Sequence, residues 1–271
     1  MKTLYSLAAG VLAISIAGCG GGSGGGTPTT AQPKAEGRYD GTLGDDYALV
    51  TVALENDEVW SLWGQTKSDG FYVGGLIQGQ GHASNGNFTA SNLKDFSVMP
   101  PQAFSMTATY VPGQRITGKF SFPGNGDAPI ALTAVADSTY DYSAPAYLTD
   151  ITGAWPMGVM DGYGYTEASM TVSTAGAVTG STSSGCTFTG TVKPRASGKN
   201  VFDVNATFGA APCVMPRQAV HGIAFIEKLN STARELVVTV VDSNRSYGAV
   251  MFGARDLASV TSVDPKAKLL R

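Results

Sequence analysis

The chain has 271 residues, a formal net charge of −3 and 35 glycines. Hydrophobic residues make up 43% of it and charged residues only 14%, against roughly 25% charged residues in an average soluble domain. The length accommodates one large domain or two ordinary ones, and low charge with abundant glycine favours short strands and tight turns over helices. The weakly acidic balance gives no electrostatic basis for binding nucleic acid or an anionic membrane surface.

The first 19 residues have the order of an export signal. Met1-Lys2 is a short basic start, and an apolar run extends from Leu4 to Ile16. That run is too short to span a bilayer but has the length of the apolar core of a secretory signal. It ends in Ile16-Ala17-Gly18-Cys19.

This tetrapeptide resembles the lipobox of bacterial lipoproteins, in which an aliphatic residue and two small residues precede a cysteine. The resemblance implies that the signal peptide, residues 1–18, is removed and that Cys19 carries acyl chains such as palmitate, which makes the bilayer a partner. Because Gly20 and not aspartate follows the cysteine, it also implies delivery to the outer membrane, on either its periplasmic or its surface face. The alternative is an ordinary cleaved signal with an unrelated cysteine.

Residues 19–36 are interpreted as a tether. Gly20 to Gly26 reads GGGSGGG, and a Thr- and Pro-containing stretch follows it up to Pro33. Such a segment cannot bury enough apolar surface to offset the entropy of ordering, so we expect it to be disordered. A Gly/Ser-rich chain of this length reaches on the order of 20–25 Å.

Strand signals fill residues 37–137. Alternating runs at Ala48–Leu54 and Glu58–Trp63, joined by the polar turn Glu55-Asn56-Asp57, predict a hairpin. Further period-two or apolar runs predict strands at Phe71–Leu76, Phe104–Tyr110 and Ile116–Phe122. The glycines between Gly74 and Gly81 are interpreted as relieving crowding on a strand, since no strand-turn-helix setting for a dinucleotide surrounds them.

A linker, residues 138–150, leads to a second strand-rich half, residues 151–256, and to a C-terminal tail, residues 257–271, that we expect to be frayed. Predicted strands of this half lie at 168–173, 178–180, 187–192, 202–208 and 236–241. The best helical candidate, Ile226–Glu235, contains Asn230-Ser231-Thr232 and is interpreted as a long hairpin loop. No helix is predicted with any strength.

The two halves share landmarks, which indicates a duplication. Gly37-Arg38-Tyr39 and Gly153-Ala154-Trp155 start them 116 residues apart, and Asp137 and Asp256 end them 119 apart. Seven or eight short strands per half fit an antiparallel meander closed into a small barrel. The predicted fold is therefore all-β, with two tandem barrel-like domains; a two-sheet β-sandwich is the alternative.

Two stretches of the second half, Ile151–Trp155 and Ala168–Gly180, resemble the first strand and the following hairpin of calycin barrels, the superfamily of lipocalins and avidins. The resemblance implies that Trp155, in Gly153-Ala154-Trp155, packs across the closed end of the barrel. Avidin-type biotin binding needs further tryptophans in this region. The second half has Trp155 alone, so biotin binding is not predicted.

After Cys19, the remaining cysteines are Cys186 and Cys213. In an exported chain such a pair normally forms a disulfide, here between a strand and a neighbouring loop. The alternative is a redox or metal-binding pair, but the chain has no CxxC motif and no histidine near either cysteine in sequence.

The sequence shows no catalytic constellation. His82 and His221 lack an adjacent nucleophile motif, and no zinc, EF-hand or phosphate-loop spacing is present. We therefore predict no catalytic residues, no metal and no cofactor. A glycosidase-type pair would have to be assembled across strands, and the carboxylates available are Asp40, Asp45, Asp46, Asp161 and Glu167. Asp45-Asp46 is interpreted as a solvated turn.

Aromatic residues are the best candidates for ligand contact. Trp60, Trp63 and Tyr72 cluster in the first half. Core and hairpin packing is the simpler interpretation, and a stacking surface for a glycan or a small apolar ligand is the functional one.

The resulting functional prediction is a non-enzymatic envelope lipoprotein with a binding, structural or surface role, whose ligand and protein partner the sequence leaves unspecified. The alternative is a hydrolase of envelope polymers with a carboxylate site assembled by folding. A hollow barrel would favour a binder of small ligands, and filled barrels would favour a purely structural role.

Overall fold

The computed structural model describes residues 34–68, 70–256 and 268–269. The predicted signal peptide, Cys19 and the tether up to Pro33 lie outside the described residues. Every residue described below belongs to one compact unit, Gln32–Arg271.

The first barrel is an antiparallel meander that closes on itself. Eight strands follow one another around it, and β4 pairs with β6 to close the ring, while the short β5 pairs only with β6. The strands are β1 (Gly37–Leu43), β2 (Tyr47–Ala53), β3 (Glu58–Lys67), β4 (Gly70–Gln80), β5 (His82–Ser84), β6 (Asn87–Asp95), β7 (Gln102–Val111), β8 (Arg115–Phe122) and β9 (Gly126–Ala134).

The second barrel follows a short helix, α1 (Leu148–Ile151), and closes through pairing of its first and last strands. Its strands are β10 (Gly153–Asp161), β11 (Gly164–Val172), β12 (Ala177–Thr182), β13 (Thr187–Pro194), β14 (Phe202–Phe208), β15 (Ala219–Lys228), β16 (Ala233–Asp242) and β17 (Gly248–Asp256). The predicted all-β fold with two tandem barrels is confirmed, and the sandwich alternative is wrong.

Two local predictions have different outcomes. The segment around Ile226–Glu235 is a hairpin, as predicted, but a tight one, because β15 and β16 pair as far as Lys228 and Arg234. The expectation of a frayed tail is wrong for Lys268–Leu269, which form a strand, β18, paired with β4 of the first barrel. A strand edge on β4 provides the hydrogen-bonding partners that this segment needs.

The two barrels match strand for strand. β1 and β10 begin at residues 37 and 153, 116 residues apart, and β7 and β15 begin at 102 and 219, 117 apart. The first strands of the two barrels also have equivalent hydrogen bonds to the residue four positions earlier. The Tyr39 hydroxyl donates to the Ala35 carbonyl at 3.0 Å, and the Trp155 Nε1–H donates to the Ile151 carbonyl at 2.7 Å. This correspondence is what the predicted duplication requires.

A third apolar core lies between the barrels. Because side chains alternate across a strand, every second residue of β2–β4 points away from the first lumen. Trp60 and Phe71 on this outer face pack with Phe225 and Phe252, on the outer face of the second barrel. The interface also holds an ion pair, Arg38 Nε to Glu227 Oε1 at 2.6 Å. The barrels are therefore joined by a buried interface that is distinct from the interior of either one.

The interface sets the open ends of the barrels side by side. We call "open" the end of each barrel that carries the turn between its first two strands. Phe96, in the loop after β6, packs so closely on Gly248 that a Cβ there would lie 2.5 Å from its ring. Met99 packs in the same way on Gly162, in the β10–β11 turn. The chain enters the first barrel at the other, closed end, where β1 begins.

Within the described part of the chain, no helix has both the length and the apolar character needed to cross a membrane.

Candidate functional site

The interior of the second barrel contains an apolar cavity of about 110 Å³. Valines and alanines from successive strands line its middle, since period-two alternation directs them inward. They include Val172, Val178, Val192, Val204, Ala206, Val220, Ala224, Val238, Val240 and Ala249. For scale, an apolar protein cavity of about 150 Å³ stays dry and takes up benzene or xenon. This lumen is thus suited to a small apolar molecule.

Residue size explains why this lumen is hollow. The buried core of the second barrel contains eight valines, whereas that of the first barrel contains one. In the sixth and seventh strands of the first barrel, Met106 pairs with Phe120. The equivalent pair in the second barrel, 118 residues later, is Ala224 with Val238. The small pair leaves open the volume that the large pair fills.

The closed end of the second barrel is sealed by Trp155. Its side chain is 1% exposed and is held by the hydrogen bond to Ile151, the last residue of α1. The Arg255 guanidinium lies 4.0 Å from the centroid of the Trp155 ring and donates to the Thr152 carbonyl at 2.7 Å. This cation–π contact and the hydrogen bonds hold the Trp155 side chain in place at the closed end. Trp155 therefore belongs to the buried core of the second barrel at its closed end.

The open end is bordered by a disulfide. Cys186, just before β13, is bonded to Cys213 in the loop between β14 and β15, with their Cα atoms 4.4 Å apart. The predicted disulfide is confirmed. It ties the loop to the rim, where Pro212, Val214 and Met215 line the cavity. Because Val214 remains 49% exposed, the entrance is apolar as well as the interior.

Polar groups gather at the same entrance. The Tyr247 hydroxyl donates to Asp161 Oδ2 at 2.9 Å, and the backbone N–H of Tyr163 donates to Asp161 Oδ1 at 2.8 Å. Burial raises the pKa of Tyr247, and the Asp161 carboxylate adds to the rise. Tyr247 is therefore a neutral hydroxyl at physiological pH. Thr166, Thr182 and Ser184 supply further hydroxyls around the mouth, so a ligand with an apolar body and one polar end matches the site.

The structure does not bring the three predicted stacking aromatics together. Trp60 is 3% exposed and lies in the core between the barrels, where its burial leaves no face open to a ligand. Trp63 is half-buried at the open end of the first barrel. Tyr72 lies on β4 under the Lys67 ammonium, which is 4.6 Å from its ring centroid.

The polar candidates are also dispersed. His82 and His221 are exposed on separate barrels, in β5 and β15. Asp45 and Asp46 lie in an exposed turn, as predicted. In the described ranges, no group of three or more histidine, cysteine or acidic side chains could hold a metal ion.

The contacts of the other three candidate carboxylates do not link any two of them into a pair. Asp40 accepts from Arg38 Nη1 at 2.8 Å, and Asp161 is engaged by Tyr247 as described. Glu167 lies on the exposed part of β11. The contacts described for Asp40, Asp161 and Glu167 assemble no acid–base pair.

Sequence reasoning missed the lumen residues as a site. The usable signal was the composition of the inward residues: valine is the commonest residue in the buried core of the second barrel, whereas Phe, Leu and Ile dominate that of the first. Recognising it requires knowing which strand positions are equivalent and face inward, and this depends on the register of pairing.

No protein-family model matches the chain, and no curated protein matches it in sequence. Solved structures give remote likenesses. A candidate outer membrane protein from Bacteroides fragilis is 11% identical, with a TM-score of 0.22, covering 82% of this chain and 95% of that one. A protein of unknown function from the DUF3598 family of Nostoc punctiforme is 10% identical, with a TM-score of 0.27, covering 82% and 94%.

A variant of the vaccine antigen transferrin-binding protein B from Haemophilus parasuis is 9% identical, with a TM-score of 0.24, covering 78% of this chain and 65% of that one. At such identities and TM-scores, none of these likenesses carries a function across to this chain.

Proposed function

We propose that this chain is a lipid-anchored protein of the bacterial envelope, and that its second barrel binds a small, predominantly apolar molecule without chemically changing it. The observation that carries the binding proposal is the hollow, Val- and Ala-lined lumen with an accessible apolar rim. The anchor proposal depends on the Ile16–Cys19 lipobox and the Gly-rich segment after it.

The shape and chemistry of the cavity support binding. One end is sealed by Trp155 and the other is open between the disulfide-tied loop and the β10–β11 turn. Transfer of apolar surface from water into such a lumen gains about 25 cal/mol per Å². The polar atoms at the mouth, those of Asp161 and Tyr247 foremost, are positioned to orient one end of the ligand.

The anchor would act through several acyl chains on Cys19. Each buried methylene contributes about 0.8 kcal/mol, so more than one chain gives stable attachment. With an outer-membrane location and a tether of on the order of 20–25 Å, the body would rotate freely above the head groups.

The binding proposal is tested on the mature chain exported with an ordinary cleavable signal, which allows the disulfide to form without lipid. Benzene is the probe, and the readout is the rise in Tm expected for a ligand that binds only the folded state. Val238→Phe fills the lumen beside Ala224 and should abolish the rise. Thr171→Phe adds the same ring on the exposed face of β11 and is the matched control. A full Tm rise in Val238→Phe would contradict binding in the lumen.

The anchor is tested by growing cells with labelled palmitate. The wild-type chain should carry the label, and Cys19→Ser should carry none while still folding. Absence of label from the wild type would remove the lipoprotein proposal and leave the lumen experiment unaffected.

A further inference from the structure

The first barrel has a cavity of its own at its open end, separate from the lumen of the second barrel. This cavity, which we call the corner cavity, has a volume of about 340 Å³. Three aromatic side chains and three carboxylates line it, namely Tyr47, Trp63, Phe122, Asp45, Asp46 and Asp95. Among the described residues that line it there is no lysine or arginine.

Trp63 is held in a defined position. Its Nε1–H donates to Asp95 Oδ1 at 3.2 Å, and the same oxygen accepts from the Ser97 N–H at 2.9 Å. A bulge falls between Trp63 and the next residue of β3, and bulges often re-aim a side chain. The indole lies on Gly74 and Gly75, where a Cβ would come within 2.5 and 2.6 Å of its ring atoms. These glycines therefore provide space for the ring, as the sequence indicated.

Two aromatic rings form the corner. The rings of Tyr47 and Trp63 are 5.2 Å apart between centroids, with planes at 88°. Tyr47 is 41% exposed, so the corner is accessible from solvent. A sugar ring stacks best on one flat aromatic face, whereas two rings at a right angle partly enclose a compact, rounded group.

The charges that line the corner cavity indicate what kind of ligand it would bind. Aromatic faces attract cations through their quadrupole, most strongly for weakly hydrated organic cations such as quaternary ammonium. Three carboxylates with no neighbouring basic side chain in the lining add a negative potential. We propose that the corner cavity binds a small organic cation with an alkylammonium group, for which choline is the probe.

The test uses the mature full chain in a non-ionic detergent and follows tryptophan fluorescence during a choline titration. Trp60 and Trp155 are 3% and 1% exposed and lie elsewhere, so the response should come from Trp63. Choline should give a saturable change. Its neutral isostere 3,3-dimethyl-1-butanol, which has the same shape without the charge, should bind at least about tenfold more weakly.

Variants locate the site. Asp45→Asn combined with Asp46→Asn removes two exposed charges and should weaken choline binding by roughly three- to tenfold, as expected for solvent-exposed charge pairs. Asp137→Asn, an exposed carboxylate near the end of the first barrel opposite the cavity, removes a charge without touching the cavity and should bind choline like the wild type.

The aromatic wall is tested separately. Trp63→Leu should abolish the fluorescence response and, by calorimetric titration, weaken binding by about fivefold or more. Trp60→Phe should change neither. Equal binding of choline and its isostere, or no saturable response to choline in the wild type, would overturn the proposal. So would saturation by a neutral oligosaccharide with no response to choline, because that would make the corner a sugar site.

Discussion

The two barrels of this protein have the same eight-strand meander but different interiors. In the first barrel, Phe104, Phe120 and Phe122 pack against one another, with ring centroids 4.7 to 6.4 Å apart. In the second barrel, the cross-strand pair Ala224–Val238 stands where Met106–Phe120 stands in the first. Period-two patterning therefore builds the barrel wall, while the size of the inward side chains decides whether the barrel is filled or hollow.

The largest expected effect comes from emptying the filled barrel. Phe120→Ala removes a side chain that is 2% exposed and should lower the free energy of unfolding by about 3–5 kcal/mol, because it combines lost burial with a new cavity. Val238→Ala, the equivalent position in the hollow barrel, should cost about 1–2 kcal/mol, since fewer atoms are removed next to existing space. Denaturant titration of both variants measures the difference. Equal losses would show that the interiors are packed alike.

The disulfide is particular to the second barrel. Cys186→Ala with Cys213→Ala should destabilise the protein by roughly 3.5 kcal/mol in the chain-entropy account, for a bond that joins residues 27 apart. The variant should also lose benzene affinity, because the loop that carries Pro212 and Val214 is no longer fixed at the rim.

Reduced wild-type protein is the control for the disulfide. It should match the double variant in denaturant midpoint. A midpoint unaffected by either treatment would mean that the bond adds nothing to the second barrel.

The dependence of stability on alkaline pH tests the burial of Tyr39, which lies at the closed end of the first barrel. Burial raises the pKa of Tyr39 to about 12, whereas an unfolded tyrosine has a pKa of about 10. The folded state therefore keeps the hydroxyl proton of Tyr39 to a higher pH than the unfolded state does. The contribution of this difference to the free energy of unfolding is complete below pH 10 and is lost as the pH rises to 12. Its size is about 2–3 kcal/mol.

The comparison variant is Tyr39→Phe, which lacks the titrating group and should show a shallower loss of stability between pH 10 and pH 12. Parallel pH profiles for the wild type and Tyr39→Phe would remove Tyr39 as the source. The other buried tyrosines, Tyr140, Tyr142 and Tyr247, have pKa values raised by burial and remain in both proteins.

The free energy of unfolding should change least when a large side chain is introduced into the hollow barrel. Val238→Phe places in the second lumen the residue found at the equivalent position of the first. Because the new ring enters existing space, the free energy of unfolding should change by less than about 1 kcal/mol. A loss of several kcal/mol would show that the lumen has no room for the ring. A near-neutral change together with lost benzene binding would show that the ring occupies the lumen without strain.

Much of the framework could be predicted from the sequence because strand periodicity and turn chemistry are local. The hairpin at β2–β3, the alternating strand β7 and the two-half organisation follow from residues close together along the chain. The disulfide was predictable from the number of cysteines in a chain that is predicted to be exported. By contrast, β6 was missed, since its run Asn87–Asp95 is interrupted by a register shift.

Trp60 and Trp63 show why the candidate sites could not be assigned from sequence. They are three residues apart on one strand, so the pleat sends them to opposite faces. Only the packing of two barrels against each other makes the outer face a buried core, which takes Trp60, while the inner face at the mouth leaves Trp63 beside Tyr47. The alternation of side chains depends on neighbouring residues, whereas the burial of each face of the strand depends on residues far away in sequence.

Local patterns along the chain were enough to predict that it folds into strands, that it has two strand-rich halves, and that its two body cysteines could pair. Three features became evident only once the strands had assembled: the barrel rather than the sandwich, the shared core between the barrels, and the hollow second lumen. These features depend on hydrogen-bond register and face-to-face packing, which join residues far apart in sequence. A lumen depends on the summed volume of side chains that meet only after the ring of strands has closed.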